Sequence, residues 1–273
     1  MKLGMLLRNS GPFSTASNIA ACARAAEQIG LDQVWTIDHI AIPPDDAEGS
    51  GGRYVDALAT LAFAAGVTTR IGLGVSVLVL PYRAALPTAK WVASIQELSG
   101  GRMTLGVGAG WMAAEFKAAG VPRAARGRLT DETLAFLHEC FAKDVVSLHD
   151  QPFIFSPRPA RPPILVGGKG AHVVRRILRY GDGWMPMGSD SEQLREPIAA
   201  LTRALAAVAK PAPQVVPLLQ LDLAKPAHGA AQLAALAAIG VTGINHTARY
   251  DSVEEFRWAA DALLAARQQA GLA

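Results

Sequence analysis

The stretch that decides the fold is Gly101-Arg102-Met103-Thr104-Leu105-Gly106-Val107-Gly108-Ala109-Gly110-Trp111. Its pattern predicts a turn, a short buried strand and a loop, and a helical pattern begins directly after it. Alternating glycines weaken a strand, so they favour a loop where a flat ring or a phosphate approaches the backbone. A glycine-rich strand that merely packs tightly in a barrel is the alternative. The spacing differs from the G-x-G-x-x-G of dinucleotide-binding domains.

Strand-like and helix-like segments alternate along the whole chain, which predicts a parallel sheet covered by helices. Eight such pairs can be counted, from a strand at Lys2 to Leu7 to a helix at Val253 to Gln268. Eight pairs favour a closed barrel over an open doubly wound sheet, and 273 residues suit such a barrel. We predict an α/β fold, a (β/α)8 TIM barrel, as a single domain over residues 1–273. Insertions are expected after strand 2 (about 41–53) and between strands 4 and 5 (about 111–163).

Three predicted segments matter for the comparison with the structure. The helix after the second strand is predicted from Tyr54 to Ala65, and the seventh strand from Val215 to Leu221. The next helix is predicted to begin at about Ala230. The proline-rich stretch from Val145 to Pro163 is predicted to be an irregular excursion that leads back into the barrel.

Composition and charge exclude several classes of partner. The net charge of +3 is small, and the basic residues are scattered apart from Arg123-Ala124-Ala125-Arg126-Gly127-Arg128. No nucleic-acid partner is predicted, and the arginine cluster indicates either a solvated loop or an anion site near the active site. Without a signal peptide or an apolar run of about 20 residues, we expect a cytoplasmic protein with no membrane partner. Cys22 and Cys140 are expected to be buried free thiols.

Candidate functional residues follow the predicted strands, at the barrel end where active sites lie. Gly167-Gly168-Lys169-Gly170 opens a helix, so its backbone N–H groups and its lysine favour a phosphate site; an ordinary strand-to-helix turn is the alternative. His39 follows the second strand and is a candidate to donate a hydrogen bond or a proton, or to serve a structural role. Asp38 beside it would fix the histidine tautomer or cap the loop.

Other candidates are aromatic or polar residues near the same rim. Trp111 and Trp184 suit the lining of a flat ring, although each also suits a core position. Asp222 and His246 follow the last two strands and are candidates to project into the barrel mouth. The sequence contains no Ser-His-Asp order, no nucleophile elbow and no His/Glu pair at metal-ligand spacing. Hydrolase and metalloenzyme functions therefore have little support.

The run from Leu98 to Trp111, followed by Glu115-Phe116, Gly120-Val121-Pro122 and Arg126-Gly127-Arg128, resembles the luciferase-like monooxygenase superfamily. Further similar motifs keep their order and cover nearly the full chain: Trp35-Thr36-Ile37-Asp38-His39-Ile40, Val77-Leu78-Val79-Leu80-Pro81-Tyr82-Arg83, Val166-Gly167-Gly168 and Tyr180-Gly181-Asp182-Gly183-Trp184. Within the superfamily, the similarity is greatest to the short-chain oxidoreductases that depend on the deazaflavin coenzyme F420.

This resemblance implies a TIM barrel that holds coenzyme F420 (8-hydroxy-5-deazaflavin), or FMN as the alternative, at the strand ends. It implies a non-proline cis peptide between Ser76 and Val77, pressed against the back of the central ring. The residues expected to bind the cofactor are Ser76, Val77, Gly108, Ala109, Gly110, Gly167, Gly168, Lys169 and Gly170, and those expected at the ring or substrate are Asp38, His39 and Trp111.

The implied chemistry is hydride transfer between C5 of the deazaflavin and a small or medium organic substrate. Two alternatives stay open: an FMN-dependent monooxygenase that uses reduced flavin, and a barrel that binds flavin without turnover. Sugar-phosphate dehydrogenases of the superfamily carry a catalytic glutamate after the glycine-rich strand, where this chain has Trp111, so their proton-transfer scheme is in doubt. A homodimer is expected because dimers are common among the relatives.

Overall fold

The computed structural model describes residues 1–188 and 190–272. Its strands are β1 (Lys2–Leu6), β2 (Gln33–Thr36), β3 (Gly72–Val79), β4 (Met103–Gly108), β5 (Val145–Leu148), β6 (Gln151–Ile154), β7 (Ile164–Gly167), β8 (Gly183–Met185), β9 (Gln214–Val215), β10 (Leu218–Leu219) and β11 (Gly243–His246). Its α-helices are α1 (Ala16–Ile29), α2 (Ala57–Val67), α3 (Ala85–Leu98), α4 (Ala113–Ala118), α5 (Arg126–Ala142), α6 (Ala171–Tyr180), α7 (Ser191–Ala206), α8 (Pro226–Ala238) and α9 (Val253–Gln269). Within this described part, none of the helices combines the length and the apolar character needed to cross a membrane.

The main sheet is parallel, in the order β10-β11-β1-β2-β3-β4-β7-β8-β9, and it closes on itself. β9 and β10 are two pieces of one strand, which pairs with β8 on one side and with β11 on the other. Across the interruption, the Val216 N–H donates to the Trp184 carbonyl at 3.0 Å, and the Asn245 N–H donates to the Pro217 carbonyl at 2.9 Å. The predicted eight-stranded TIM barrel is confirmed over the described residues, with β9 and β10 together as its seventh strand.

The barrel interior is filled below its mouth by a cluster around Trp35. Trp35 is fully buried and packs with Leu165, Met185 and Val216, all of them also buried. Gly74 makes room for this indole, because a Cβ at position 74 would lie 2.1 Å from a ring carbon of Trp35. The half-buried Val77, three residues further along β3, packs on the cluster from the side of the mouth.

Local capping explains where the first two helices begin. The Thr15 side chain accepts the Asn18 N–H as the N-cap of α1, which confirms the prediction of an N-cap at Ser14 or Thr15. α2 begins at Ala57 rather than at the predicted Tyr54. The reason is Asp56, whose carboxylate accepts the N–H groups of the two residues after Ala57 and therefore caps the helix.

Three other predicted boundaries are wrong. The stretch predicted to be irregular contains the antiparallel hairpin β5–β6, whose turn places His149 and Asp150 at φ 51° and 59°. The seventh strand ends at Leu219 and is interrupted next to Pro217, which has no N–H to donate. The following helix begins at Pro226, whose fixed φ suits the first helical position.

Candidate functional site

The candidate site lies where the loops after β2, β3 and β4 meet. His39 follows β2, Tyr82 follows β3, and Glu115 lies in the short helix α4 after β4. Because the strands are parallel and neighbouring, their C-terminal ends share one rim of the barrel. The side chains of His39 and Tyr82 both contact Glu115 at this rim, although the three residues are distant in the sequence.

Glu115 is the centre of this contact and is only 1% exposed. Its Oε1 accepts the N–H groups of Ile40 at 2.6 Å and Ala41 at 3.1 Å. Its Oε2 lies 3.1 Å from Nδ1 of His39 and accepts the Tyr82 hydroxyl at 3.0 Å. Burial alone would raise the pKa of Glu115, but these backbone and side-chain partners outweigh it and lower the pKa below its ordinary value. The carboxylate is therefore ionised at neutral pH.

His39 is oriented by this carboxylate. An ionised carboxylate can only accept hydrogen bonds, so Nδ1 of His39 carries the proton that faces Glu115. The imidazole packs against the ring of Tyr54, at a centroid distance of 5.1 Å, and lies near that of Trp111, at 6.5 Å. Its side chain is 21% exposed at the mouth. Within the described part of the chain, Nε2 has no hydrogen-bond partner, so this nitrogen is available to a ligand.

Tyr82 is held in its protonated form. Burial, followed by the neighbouring negative charge of Glu115, raises the pKa of the Tyr82 phenol above its ordinary value. The phenol therefore stays neutral and donates its hydrogen bond to Glu115. Its ring also packs edge-on against Phe116, with the centroids 5.0 Å apart.

Asp38 is adjacent to His39 but has different partners. Both of its oxygens accept hydrogen bonds from the Arg83 guanidinium at 2.7 Å, and Oδ2 also accepts the Val79 N–H at 2.9 Å. Arg83 contacts Asp56 as well, at 2.8 Å. Asp38 therefore ties the loop after β2 to the end of β3, which agrees with the loop-holding interpretation. The histidine tautomer is fixed by Glu115 and not by Asp38.

The Ser76–Val77 peptide is cis, which confirms that expectation from the resemblance. The buried Ser76 hydroxyl accepts a hydrogen bond from Nδ2 of Asn245 at 2.7 Å, across the barrel interior. The Val77 side chain occupies the space beside Gly108 and Gly167. A Cβ at these two glycines would lie 2.6 Å and 2.8 Å from the Val77 methyl groups. A ring bound here would therefore rest on Val77 rather than directly on the glycine backbone.

The loop Gly167-Gly168-Lys169-Gly170 has the features of an anion site. Gly168 and Gly170 adopt φ of 104° and 85°, which directs the chain into α6, and Lys169 is exposed beside the start of this helix. N–H groups in the first turn of a helix have no intrahelical partners and favour a phosphate. Trp184 is mostly buried and donates from Nε1 to the Gly168 carbonyl at 2.8 Å, so it supports the loop from below.

The other candidates divide between the rim and the outer face. Trp111 is 67% exposed next to His39, and it follows Gly110, where a Cβ would lie 2.6 Å from Val79. His246 points outwards, contrary to expectation: its Nδ1 accepts the Leu221 N–H at 3.2 Å, and it lines a cavity of about 630 Å³ that is also lined by α9.

Asp222 does not reach the barrel mouth either. It is partly exposed and contacts His228 at 3.3 Å and Lys225 at 3.5 Å at the protein surface. On β11, Asn245 faces the barrel interior, where it contacts Ser76. The next residue, His246, faces the opposite side because side chains alternate along a strand.

Sequence reasoning missed Glu115, Tyr82 and Asn245 as residues of this region. Glu115 and Tyr82 were inside the motifs quoted above but were given no role there. The position of Glu115 was nevertheless a signal. It lies next to Phe116 on the apolar face of a short helix that directly follows a strand end, and a buried acidic side chain at such a place is often functional. Nothing in the sequence indicated that Asn245 would meet Ser76.

The closed barrel with polar loops at the C-terminal strand ends defines a TIM-barrel protein, and in characterised enzymes of this fold the active site lies at that rim. The family model for luciferase-like monooxygenases matches residues 1–271, and the chain belongs to this family. An uncharacterised protein of Mycobacterium tuberculosis (strain ATCC 25618 / H37Rv) is 31% identical over 247 residues, which cover 82% of this chain and 85% of that protein.

Two further similarities concern proteins with stated cofactors. The F420-dependent hydroxymycolic acid dehydrogenase of the same Mycobacterium tuberculosis strain is 32% identical over 188 residues, 63% of this chain and 49% of that enzyme. The oxygenating constituent of 3,6-diketocamphane monooxygenase from Pseudomonas putida, solved in complex with FMN, has the same fold with a TM-score of 0.79. It is 12% identical, and the match covers 99% of this chain and 98% of that one. Proteins similar to this chain thus include both F420-dependent and FMN-containing oxidoreductases.

Proposed function

We propose that the chain is an F420-dependent oxidoreductase that transfers a hydride between C5 of the deazaflavin and a small or medium organic substrate. The observation that carries this proposal is the His39–Glu115 pair, which leaves Nε2 of a half-buried, oriented imidazole available at the barrel mouth. The similarity to an F420-dependent dehydrogenase supports the choice of cofactor.

The residues of the rim fit the parts of such a cofactor. The loop from Gly167 to Gly170, with Lys169 and the first turn of α6, suits its phosphate. Val77 and Ala109 offer small, partly exposed surfaces beside the buried Gly108, and such surfaces suit a flat ring. When bound, the deazaflavin would supply the hydride acceptor or donor, and the protein would supply orientation and electrostatics.

His39 is the residue that would handle the proton. Hydride removal from a carbon that bears a hydroxyl group also requires loss of the hydroxyl proton, and the reverse reaction requires its return. Nε2 of His39 would accept that proton, because Nδ1 is already protonated towards Glu115. The imidazolium formed would be stabilised by the ionised carboxylate 3.1 Å away.

Exposed apolar side chains around the mouth support an organic substrate of low polarity. Ile40 is 42% exposed after β2, and Met187 is 79% exposed after β8. Trp111 adds a large exposed aromatic surface after β4. Apolar groups that face solvent in a functional rim are suited to cover a bound substrate and to exclude water from it.

The test is a titration of the purified protein with F420 and with FMN, followed by turnover measurements. Binding of F420 with reduction of an enone or a quinone by its reduced form is the expected result. Tight FMN binding with NADH-fed oxygen uptake would instead establish the monooxygenase alternative. Binding of either cofactor without any turnover would establish the non-catalytic barrel.

A further inference from the structure

A groove of about 550 Å³ lies between α5 and α6 on the outside of the barrel. Its lining begins beside the candidate phosphate loop, with His172 near the start of α6 and Gly127 near the start of α5. α6 follows β7 directly and α5 follows β4 through α4, so both helices begin at the barrel end that carries the site. The groove therefore leads away from the loop Gly167–Gly170 along the outer surface.

Arginines dominate the lining of this groove, and their charges are only partly compensated. Over residues 1–188 and 190–272, Arg175 and Arg179 have no carboxylate partner within salt-bridge distance. Arg175 instead contacts His172, and the Arg179 guanidinium lies over the Tyr180 ring at 5.0 Å from its centroid. The ion pairs in the groove are Arg128–Glu132 at 2.8 Å and Arg176–Asp131 at 2.6 Å.

The two uncompensated arginines are four residues apart and therefore share one face of α6. At 1.5 Å per residue, Arg175 lies about 7.5 Å and Arg179 about 13.5 Å along the helix from its cap at Gly170. A ligand whose phosphate sits at this cap would thus meet two further positive charges in succession, provided that it carries anionic groups beyond the phosphate.

We propose, resting on the F420-dependent function above, that this groove binds the carboxylates of the oligoglutamyl tail that continues beyond the phosphate of F420. The tail presents carboxylates in series, and the groove presents arginines in series next to the phosphate loop. FMN ends at its phosphate and would leave the groove unused. The groove thereby selects for the deazaflavin and, among its forms, for those with a longer tail.

The test measures equilibrium binding of three ligands at low salt: the phosphorylated deazaflavin without glutamates, F420 with several glutamates, and FMN. The wild-type protein is expected to bind the long-tailed form about 3- to 10-fold more tightly than the tailless form. The Arg175→Gln/Arg179→Gln variant should lose this difference, with its affinities for the tailless form and for FMN unchanged. Added salt should reduce the difference in the wild-type protein.

A matched control removes the same charge from α7. Arg195 and Arg203 pair with Glu192 and Glu196 outside the groove, so Arg195→Gln/Arg203→Gln should keep the tail preference. Thermal unfolding of both double variants verifies that each is folded.

Equal affinity of the wild-type protein for tailless and long-tailed F420 would overturn the groove assignment and leave the proposed function intact. A tail preference that survives in the Arg175→Gln/Arg179→Gln variant would overturn the assignment as well. Failure to bind either form of F420 would overturn the proposed function and the tail site together.

Discussion

The carboxylate of Glu115 lies 3.1 Å from Nδ1 of His39, although 76 residues separate the two positions in the chain. The same carboxylate accepts the backbone N–H groups directly after His39, so it fixes both the ring and the loop that carries it. A histidine held in this way presents a defined nitrogen to a ligand. We expect the activity of the site to depend on Glu115 as well as on His39, and more strongly on His39.

Replacement of Glu115 by Gln tests this dependence. The amide oxygen can still accept the N–H groups of Ile40 and Ala41, but the negative charge facing His39 is lost. We expect kcat to fall about 10- to 100-fold, because the orientation and charge support of the imidazole are removed. The Kd for the cofactor should change little. Steady-state kinetics and a binding titration of the same variant measure the two quantities.

Tyr82→Phe is the matched control for Glu115→Gln. It removes the phenol hydrogen bond to Glu115 and leaves the carboxylate and its contact with His39 in place. A fall in kcat smaller than that of Glu115→Gln is expected. Equal losses in the two variants would contradict a charge-based role for Glu115.

Replacement of His39 by Gln tests the proton-transfer role. The side chain keeps comparable volume and polarity but cannot accept a proton at neutral pH. We expect turnover to fall about 10²- to 10⁴-fold, the usual contribution of a general acid or base. Fluorescence titration should show cofactor binding unchanged. Normal turnover in this variant would assign the proton to another group.

Gly74→Ala tests the packing of the barrel interior. A Cβ at this position would lie 2.1 Å from the buried Trp35 ring, and overpacking of this kind costs about 3 kcal/mol. The control is Gly66→Ala on the exposed face of α2, where a Cβ would meet nothing within 4 Å. That change should stabilise the protein by about 0.5–1 kcal/mol through helix propensity. Urea unfolding of both variants compares the free energies; similar values would refute the packing argument.

We expect protonation of His246 to destabilise the folded protein in mild acid. Burial lowers the pKa of His246 to about 4 from an ordinary value of 6.5. The unfolded chain therefore binds this proton more readily than the folded one. The contribution to stability is complete above about pH 6.5 and is lost as the pH falls towards 4, up to about 3 kcal/mol.

The corresponding variant is His246→Asn, whose amide oxygen can replace Nδ1 as the acceptor of the Leu221 N–H. Urea unfolding at several pH values between 7.5 and 4.5 should show a flatter pH dependence for this variant than for the wild-type protein. An unchanged pH dependence would show that other groups dominate the acid response.

The fold was predictable because its signals are local. Strand and helix periodicities repeat along the chain, and caps such as Thr15 and Gly30 stand directly at the helix ends. The β5–β6 hairpin was missed because its turn places His149 and Asp150 at positive φ, where Asn-Gly is the usual pair. Pro217 interrupts a strand that the apolar pattern alone describes as continuous.

The site was predictable only in its location. Strand ends place His39, Trp111 and the Gly167–Gly170 loop at one rim, but which side chains meet depends on tertiary packing. Glu115 therefore could not be paired with His39 from the sequence. His246 shows a related difficulty, because a shift of one residue in strand parity decides between the barrel interior and its outer face. The cofactor, the reacting residues and the homodimer stay predictions.

The Trp35 cluster has a consequence for the order in which ligands move. Over the described residues, the indole closes the barrel beneath Val77, so the lumen offers no passage towards the opposite end. Cofactor and substrate would therefore both enter through the barrel mouth. The cofactor ring would bind first, and the substrate would bind above it. Under the proposed function, product would have to leave before the used cofactor could be exchanged, which corresponds to a compulsory-order kinetic scheme.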